Sequence, residues 1–143
     1  MAVHFRPKKS YPQFEEFCVL SDIECNFEDY DECLEKMGVN EDSECHKFLG
    51  YANIIQDEML TDCARVSREL CCGGAASYQR TSEEEDGIQS DAKEWVLLLQ
   101  LSTLEKEEWE LMWGDCGRLY FYIRKQDLID KRFENAWFSL QCT

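Results

Sequence analysis

The sequence contains few of the residues that usually carry out acid–base catalysis. His4 and His46 are the only two histidines among 143 residues, although histidine is the side chain that titrates most readily near neutral pH. The chain also lacks a glycine-rich phosphate loop, a serine nucleophile elbow and a paired-histidine metal motif. His46 follows Cys45 directly, and adjacent side chains seldom face each other closely enough to form a nucleophile pair. The sequence therefore predicts neither a complete catalytic site nor a cofactor.

Long hydrophobic runs are also missing. No stretch of about 18 consecutive apolar residues could cross a bilayer. The basic start, residues 1–9, leads into the polar and charged segment 10–16 rather than into the apolar core of a secretion signal. We therefore predict a cytoplasmic protein that does not associate with membranes.

Basic residues are outnumbered by acidic ones. The 15 Lys and Arg residues face 30 Asp and Glu residues, which gives a formal net charge of -15. Because nucleic-acid binding draws its affinity from Lys and Arg that displace counterions, we do not expect nucleic acid as a ligand. A well-solvated surface explains the charge most simply, whereas steering toward a protein partner with a basic surface, or mimicry of nucleic acid, is the functional alternative.

Nine cysteines could indicate disulfides or zinc, but neither pattern is present. The number is odd and no signal sequence accompanies it, which argues against a disulfide framework. Structural zinc sites usually take their thiolates from C-x2-C pairs, and the sequence has none. We predict no metal site and free, mostly buried thiols at Cys18, Cys25, Cys33, Cys45, Cys63, Cys71, Cys72, Cys116 and Cys142.

The first half of the chain has helical periodicity. Apolar residues make up 44% of the sequence, enough for one domain over residues 1–143 with one core. Spacing and end signals predict helices over 11–20, 29–38 and 57–71. Residues 75–91 are predicted to form a mobile polar loop, because like charges repel one another. The loop is either inert surface or the part that faces a basic partner through Glu83, Glu84, Glu85 and Asp86.

The second half favours β-structure, with strands over 95–101, 109–113, 118–124 and 136–142 and a helical turn over 127–133. The continuous apolar run 95–101 is typical of a strand that is covered on both faces. The strands 109–113 and 118–124 are expected to form a hairpin, in which Tyr120 and Tyr122 share one face. The predicted fold class is α+β, with an antiparallel sheet packed against helices from the N-terminal half.

Two stretches of the sequence resemble YwqG-like proteins, a bacterial family that is largely without assigned function. The first is 46–57, with its Leu-Gly-Tyr and Ile-Gln segments. The second combines Trp-Val-Leu-Leu-Leu-Gln at 95–100, which resembles the family's Trp-Leu-Leu-Leu-Gln, with the Trp-Gly-Asp motif of 113–121 and Arg-Phe through Gln over 132–141. The resemblance covers about 45–143. Ala52 stands where that family usually has proline, and the chain is shorter than typical members, as though an N-terminal part were missing. Such a loss would leave a sheet edge open to a partner or to a homodimer.

The resemblance implies a fold but no reaction. Turn chemistry alone explains the Trp-Gly-Asp motif, because glycines allow unusual backbone angles and aspartate caps turns. In the functional interpretation, the two motifs line a pocket or contact surface. We expect a binding module, such as an immunity or antitoxin protein; the alternatives are a small-molecule-binding domain and a hydrolase or transferase that uses dispersed carboxylates. The candidate binding residues are His46, Tyr51, Gln56, Trp113, Asp115 and Tyr120.

Overall fold

The computed structural model describes residues 4–39, 46–70, 81–106 and 109–142. The elements that follow are named in chain order. The helices are α1 (Phe14–Leu20), α2 (Phe27–Lys36), α3 (Leu60–Ser67), α4 (Ser82–Ala92) and α5 (Lys125–Ile129), with a 3-10 turn at Phe133–Asn135. The strands are β1 (Lys47–Phe48), β2 (Trp95–Ser102), β3 (Leu104–Lys106), β4 (Trp109–Leu111), β5 (Arg118–Arg124) and β6 (Trp137–Gln141).

The main sheet is antiparallel and has the strand order β1-β2-β5-β6. It confirms the predicted α+β class with C-terminal strands and N-terminal helices. Gln100 of β2 lies opposite Tyr120 of β5, and Tyr120 lies opposite Ser139 of β6. The register between β2 and β5 shifts between Leu97 and Leu99. One extra residue of β2 lies at this irregularity, so the alternation of side chains between the two faces is offset by one residue beyond it.

Helices α1, α3 and α4 pack on one face of this sheet. Tyr120 and Tyr122 share the covered face, as predicted, and both are fully buried. The prediction that 95–101 is covered on both faces is wrong: Leu97 is 1% exposed, whereas Val96 and Leu98 beside it are only half-buried. The apolar run is continuous because an uncovered face also carries apolar side chains.

Helix α3 forms the centre of the helical layer. It is shorter than the predicted 57–71, because the carboxylate of Glu58 accepts hydrogen bonds from the backbone N–H groups of Leu60 (2.8 Å) and Thr61 (3.1 Å) and so caps the helix start. Cys63 and Ala64 of α3 are fully buried against the sheet. The core combines buried residues of α1, α3, α4, β2, β5 and the segment before α3: Val19, Ala52, Met59, Leu60, Cys63, Ala64, Ile88, Ala92, Trp95, Leu97, Tyr120 and Tyr122.

Helix α4 corrects the prediction of a loop over 75–91. Thr81 and Glu84 form a reciprocal capping box at its start, which satisfies two backbone N–H groups that a helix otherwise leaves unpaired. The acidic run lies in the first turn, where the positive end of the helix dipole favours negative charge. Ile88 and Ala92 are fully buried and hold the helix on the core. The cap, the helix dipole and the burial of apolar side chains together outweigh the repulsion between like charges on which the loop prediction was based. Residues 71–80 lie outside the described part of the chain.

The predicted hairpin of 109–113 with 118–124 is also wrong. Strand β4 pairs with β3 in a separate two-stranded sheet, with Leu104 opposite Leu111. Strand β5 already has β2 on one side and β6 on the other. Because a strand has only two hydrogen-bonding edges, β4 has no place beside it.

Two further findings concern membranes and thiols. None of the described helices has the length and hydrophobicity that a bilayer-spanning segment needs. All six described cysteines are free, but only Cys63 is buried, so the prediction of mostly buried thiols fails for this part of the chain. Cys45, Cys71 and Cys72 lie outside the described residues.

Candidate functional site

Residues 53–57 form an irregular segment that is held by glutamine side chains from three elements of the fold. Gln13, just before α1, accepts a hydrogen bond from the backbone N–H of Ile54 (2.6 Å). Gln100 of β2 accepts one from the N–H of Asn53 (2.8 Å). Gln141 of β6 accepts bonds from the N–H groups of residues 55 and 56 and donates one to the carbonyl of residue 57. These side chains replace the strand partners that an irregular backbone lacks.

Asn53 is the most tightly bound residue of this segment. Its carbonyl accepts hydrogen bonds from the Tyr120 hydroxyl (2.6 Å) and from a guanidinium nitrogen of Arg118 (2.8 Å). Gln100 is fully buried and also donates to the side-chain oxygen of Asn53 (3.2 Å). Burial raises the pKa of Tyr120 above its ordinary value. Since Tyr120 has no exposed surface, its role in this structure is internal rather than ligand-facing.

This network predicts an order of mutational effects. In Tyr120→Phe the Asn53 carbonyl keeps Arg118 as a donor, so the free energy of unfolding should fall by only about 1 kcal/mol. In Gln100→Leu the N–H and side-chain oxygen of Asn53 both lose a buried partner, and about 2–4 kcal/mol should be lost. Urea denaturation of the two variants measures the difference. Equal losses, or a larger loss for Tyr120→Phe, would contradict the network.

Three other predicted site residues are exposed or half-buried, and each takes part in internal hydrogen bonds. Nδ1 of His46 accepts a hydrogen bond from the backbone N–H of Ser102 (3.1 Å). The side-chain amide of Gln56 donates to the carbonyl of Cys142 (2.8 Å). Tyr51 is half-buried, and its carbonyl accepts a bond from the Lys47 ammonium (2.9 Å). These hydrogen bonds within the protein help to stabilise the fold.

The turn 113–117 lies beside the end of β2. The N–H of Trp113 donates to the hydroxyl of Thr103 (3.3 Å), and Trp113 itself is half-buried, with a ring nitrogen that has no hydrogen-bond partner within the described part. Gly114 has φ +59°, which confirms the prediction that a glycine supplies an unusual backbone angle here. Asp115 is exposed.

The predicted residues therefore meet near one end of the sheet without forming a catalytic set. His46 bonds to Ser102 and Trp113 bonds to the adjacent Thr103, where β2 ends. Among the described residues, no group of three or more His, Cys, Asp or Glu side chains is placed to hold a metal ion. The motifs that suggested a site are explained mainly by the hydrogen bonds that fix residues 53–57.

Sequence reasoning missed a buried carboxyl group. Glu16 of α1 is 2% exposed, and burial together with the nearby Glu58 raises its pKa to about 8, although the Ala52 N–H and Lys47 act in the opposite direction. One carboxyl oxygen of Glu16 and the hydroxyl of Tyr122 have no hydrogen-bond partner in the described part of the chain. Glu16 is therefore protonated at neutral pH. Its position three residues before the buried Val19 was the available signal.

Sequence reasoning also missed the side of the main sheet that faces away from α1, α3 and α4, here called the outer face. The strand register places nine side chains on it, none of them polar. Three are prominently exposed: Phe48 (55%), Phe138 (49%) and Leu140 (44%). Helix α5 and the 3-10 turn contact β5, near the fully buried Ile123. The nine residues are Phe48, Val96, Leu99, Leu101, Leu119, Phe121, Ile123, Phe138 and Leu140.

Comparison with known proteins places the chain in a family without assigning it an activity. The model of one protein family matches residues 3–142. No curated protein matches the sequence. The family match begins well before the resemblance found over 45–143, so it also includes the N-terminal helices. The chain belongs to the family described as Domain of unknown function (DUF1963).

Proposed function

We propose that this chain is a non-catalytic protein-binding module that docks through its outer face onto a partner with a basic surface. The observation that carries the proposal is the outer face itself, with nine apolar side chains and exposed Phe48, Phe138 and Leu140. An immunity, antitoxin or inhibitor protein acts in this way, by covering a surface of its target.

The size of the outer face supports a docking role. The four strands have 2, 8, 7 and 5 residues, 22 in all, and at about 3.3 Å per residue and about 4.8 Å between strands they give a projected area of roughly 350 Å². That is comparable with the largest apolar patches on soluble monomers, roughly 300–600 Å², which are often functional. The rings of Phe121 and Phe138 contact each other at 5.4 Å between centroids, tilted by 51°, and form an aromatic pair of the kind that is enriched in protein interfaces.

The charge distribution supports a basic partner. The outer face carries no charge, so binding energy comes from apolar burial, while the net charge of -15 attracts a cationic partner from the surrounding surface. The acidic first turn of α4 contributes through exposed Glu83 and Asp86. Glu84 closes the capping box and Glu85 faces Arg65 at 3.7 Å, so these two carboxylates act mainly inside the fold.

The sequence resemblance is compatible with this proposal, because it implies a fold but no reaction. YwqG-like proteins are a bacterial family that is largely without assigned activity. The candidate residues of the two motifs contribute indirectly, because hydrogen bonds of His46, Gln56 and Trp113 hold the end of the sheet that carries the outer face.

A charge-insertion experiment tests the proposal. Phe138→Asp combined with Leu140→Asp should weaken binding of a basic partner isolated from the source cell by about 100-fold or more, because each Asp would be desolvated in an apolar interface. The control is Ile23→Asp with Met37→Asp, two apolar residues that are 68% and 51% exposed and lie outside the sheet. The control should bind within about threefold of the parent, as measured by calorimetry. Unchanged binding by the sheet variant would refute docking through the outer face.

Salt dependence separates a basic partner from a second copy of the chain. Binding to a basic partner should weaken as salt is added, because the attraction is screened. Association of two chains that each carry -15 should instead strengthen with salt. Sedimentation of the isolated protein that shows a dimer tightening with salt, and disrupted by the Phe138 and Leu140 substitutions, would assign the outer face to a homodimer.

A further inference from the structure

A groove beside β1 differs in charge from the rest of the molecule. It has a volume of about 1030 Å³ and lies between residues 4–13, here called the strap, and the segment 46–53. The chain has twice as many acidic as basic residues, yet none of the described residues that line the groove is Asp or Glu. The nitrogen-bearing cationic or imidazole side chains that line it are His4, Arg6, Lys8, Lys9, His46 and Lys47.

The strap is fastened to the fold, so the groove is a built feature rather than a gap beside a loose terminus. The hydroxyl of Ser10 accepts a hydrogen bond from the N–H of Tyr51 (3.0 Å). The carbonyl of Pro12 accepts one from the Tyr30 hydroxyl (2.6 Å). The ring of Phe5 contacts that of Phe48 at 5.9 Å between centroids. These contacts hold both ends of the strap.

The lining combines cations with apolar surface. Leu34, Val39, Phe48 and Leu49 contribute apolar side chains to the groove, and Phe48 is the position where the groove meets the outer face. Pro7 and Pro12 each fix their own φ and favour extended backbone in the preceding residue. A ligand that lies along the strap must therefore be long, partly apolar and negatively charged.

We propose that this groove binds an extended acidic peptide segment with interspersed apolar side chains. The basic residues of the strap are distributed from residue 6 to residue 9, or roughly 10 Å at 3.3 Å per residue. Lys47, whose ammonium donates to the Tyr51 carbonyl, also lines the groove. A row of carboxylates matches a distributed row of cations, whereas a ligand with one charged headgroup would use only part of it. This site goes beyond the proposed function, because its ligand has the opposite charge to the partner of the outer face.

The test uses fluorescein-labelled peptides of repeated Glu-Glu-Phe and repeated Lys-Lys-Phe with the full chain at low salt. The net charge of -15 predicts that the basic peptide binds better if only the overall field acts. If the groove binds acidic peptides as proposed, part of the binding of the acidic peptide should depend on the basic residues of the groove. In Arg6→Glu with Lys9→Glu, affinity for the acidic peptide should fall by at least about tenfold, and affinity for the basic peptide should not fall.

The matched control is Lys125→Glu with Lys131→Glu, which makes the same change in net charge on α5 and just after it, outside the groove lining. It should bind the acidic peptide within about twofold of the parent, by fluorescence anisotropy. Circular dichroism verifies that each variant is folded. Equal losses in both double variants, or no binding of the acidic peptide by the parent, would overturn the proposal. Binding of decanoate or pyrophosphate that depends on Arg6 and Lys9, without peptide binding, would also overturn it and identify a small-anion site.

Discussion

Replacing Gly117 with alanine is expected to destabilise the protein by about 3 kcal/mol or more, because backbone atoms surround the position. A Cβ atom at Gly117 would lie 2.5 Å from the carbonyl oxygen of Gln141 and 2.9 Å from Cβ of Cys142, and would overlap the carbonyl oxygen of Trp113. Backbone cannot move aside as a flexible side chain can. The N–H of Gly117 donates to that Trp113 carbonyl (2.7 Å), so relief of the clash would break the turn.

Gly38 supplies the control for this prediction. It has φ +67°, but a Cβ atom there would meet nothing within 4 Å. Gly38→Ala should therefore lose only about 1 kcal/mol from the left-handed backbone angle. Thermal unfolding should give a melting temperature that is lower by roughly 10 °C or more for Gly117→Ala and by a few degrees for Gly38→Ala. Similar shifts for the two variants would contradict the tight packing of the turn 113–117.

The second large effect concerns Glu16 and pH. Its pKa is about 8 in the folded protein, compared with 4.5 for an unperturbed glutamate. Between these two values the folded state holds a proton that the unfolded state releases, so stability from this group is fully present below about pH 4.5. It is lost progressively as the pH rises to about 8. Each pH unit between these two pKa values costs about 1.36 kcal/mol of unfolding free energy, so the total loss is at most about 5 kcal/mol. Relaxation of the buried site reduces this loss.

Glu16→Gln isolates this contribution. Glutamine cannot ionise, so the difference in unfolding free energy between variant and parent should change in favour of the variant by several kcal/mol from pH 5 to pH 8.5. Glu15→Gln removes an equivalent charge from the exposed neighbour and should leave the pH dependence of the parent unchanged. Urea denaturation across this pH range measures both differences. A constant difference for Glu16→Gln would show that Glu16 keeps an ordinary pKa in the folded protein.

The sequence was sufficient for the fold class, for helices α1 to α3 and for strands β2, β4, β5 and β6. The alternation of Tyr120 and Tyr122 with Leu119 and Phe121 predicted which faces these strands would present, and the fold confirmed it. The predicted helix 29–38 corresponds closely to α2, because Asn26 caps its start and accepts a hydrogen bond from the N–H of Asp29 (2.8 Å). Local periodicity and caps determine these elements, so they can be found without tertiary information.

Other features depended on contacts between distant residues. The hairpin prediction failed because pairing of β5 with both β2 and β6 depends on the whole sheet. The loop prediction for 75–91 failed because the burial of Ile88 and the capping box of Thr81 and Glu84 stabilise a helix there more than charge repulsion destabilises it. A single residue pattern cannot reveal which neighbours an element will have.

The candidate site was only partly predictable for the same reason. The resemblance identified the residues that meet at the end of the sheet, such as His46, Gln56 and Trp113. It did not reveal that Tyr120 is buried and bonded to Asn53. The outer face was invisible in the sequence, since an apolar strand looks the same whether or not another element covers it.

The most direct test of the proposed function is hydroxyl-radical footprinting of the chain alone and in complex with its basic partner. If the partner docks on the outer face, Phe138 and Leu140, which are 49% and 44% exposed, should be oxidised in the free protein and protected in the complex. Ile23, which is 68% exposed outside the sheet, should remain equally reactive in both. Protection at Ile23 with unchanged oxidation of Phe138 and Leu140 would contradict the account.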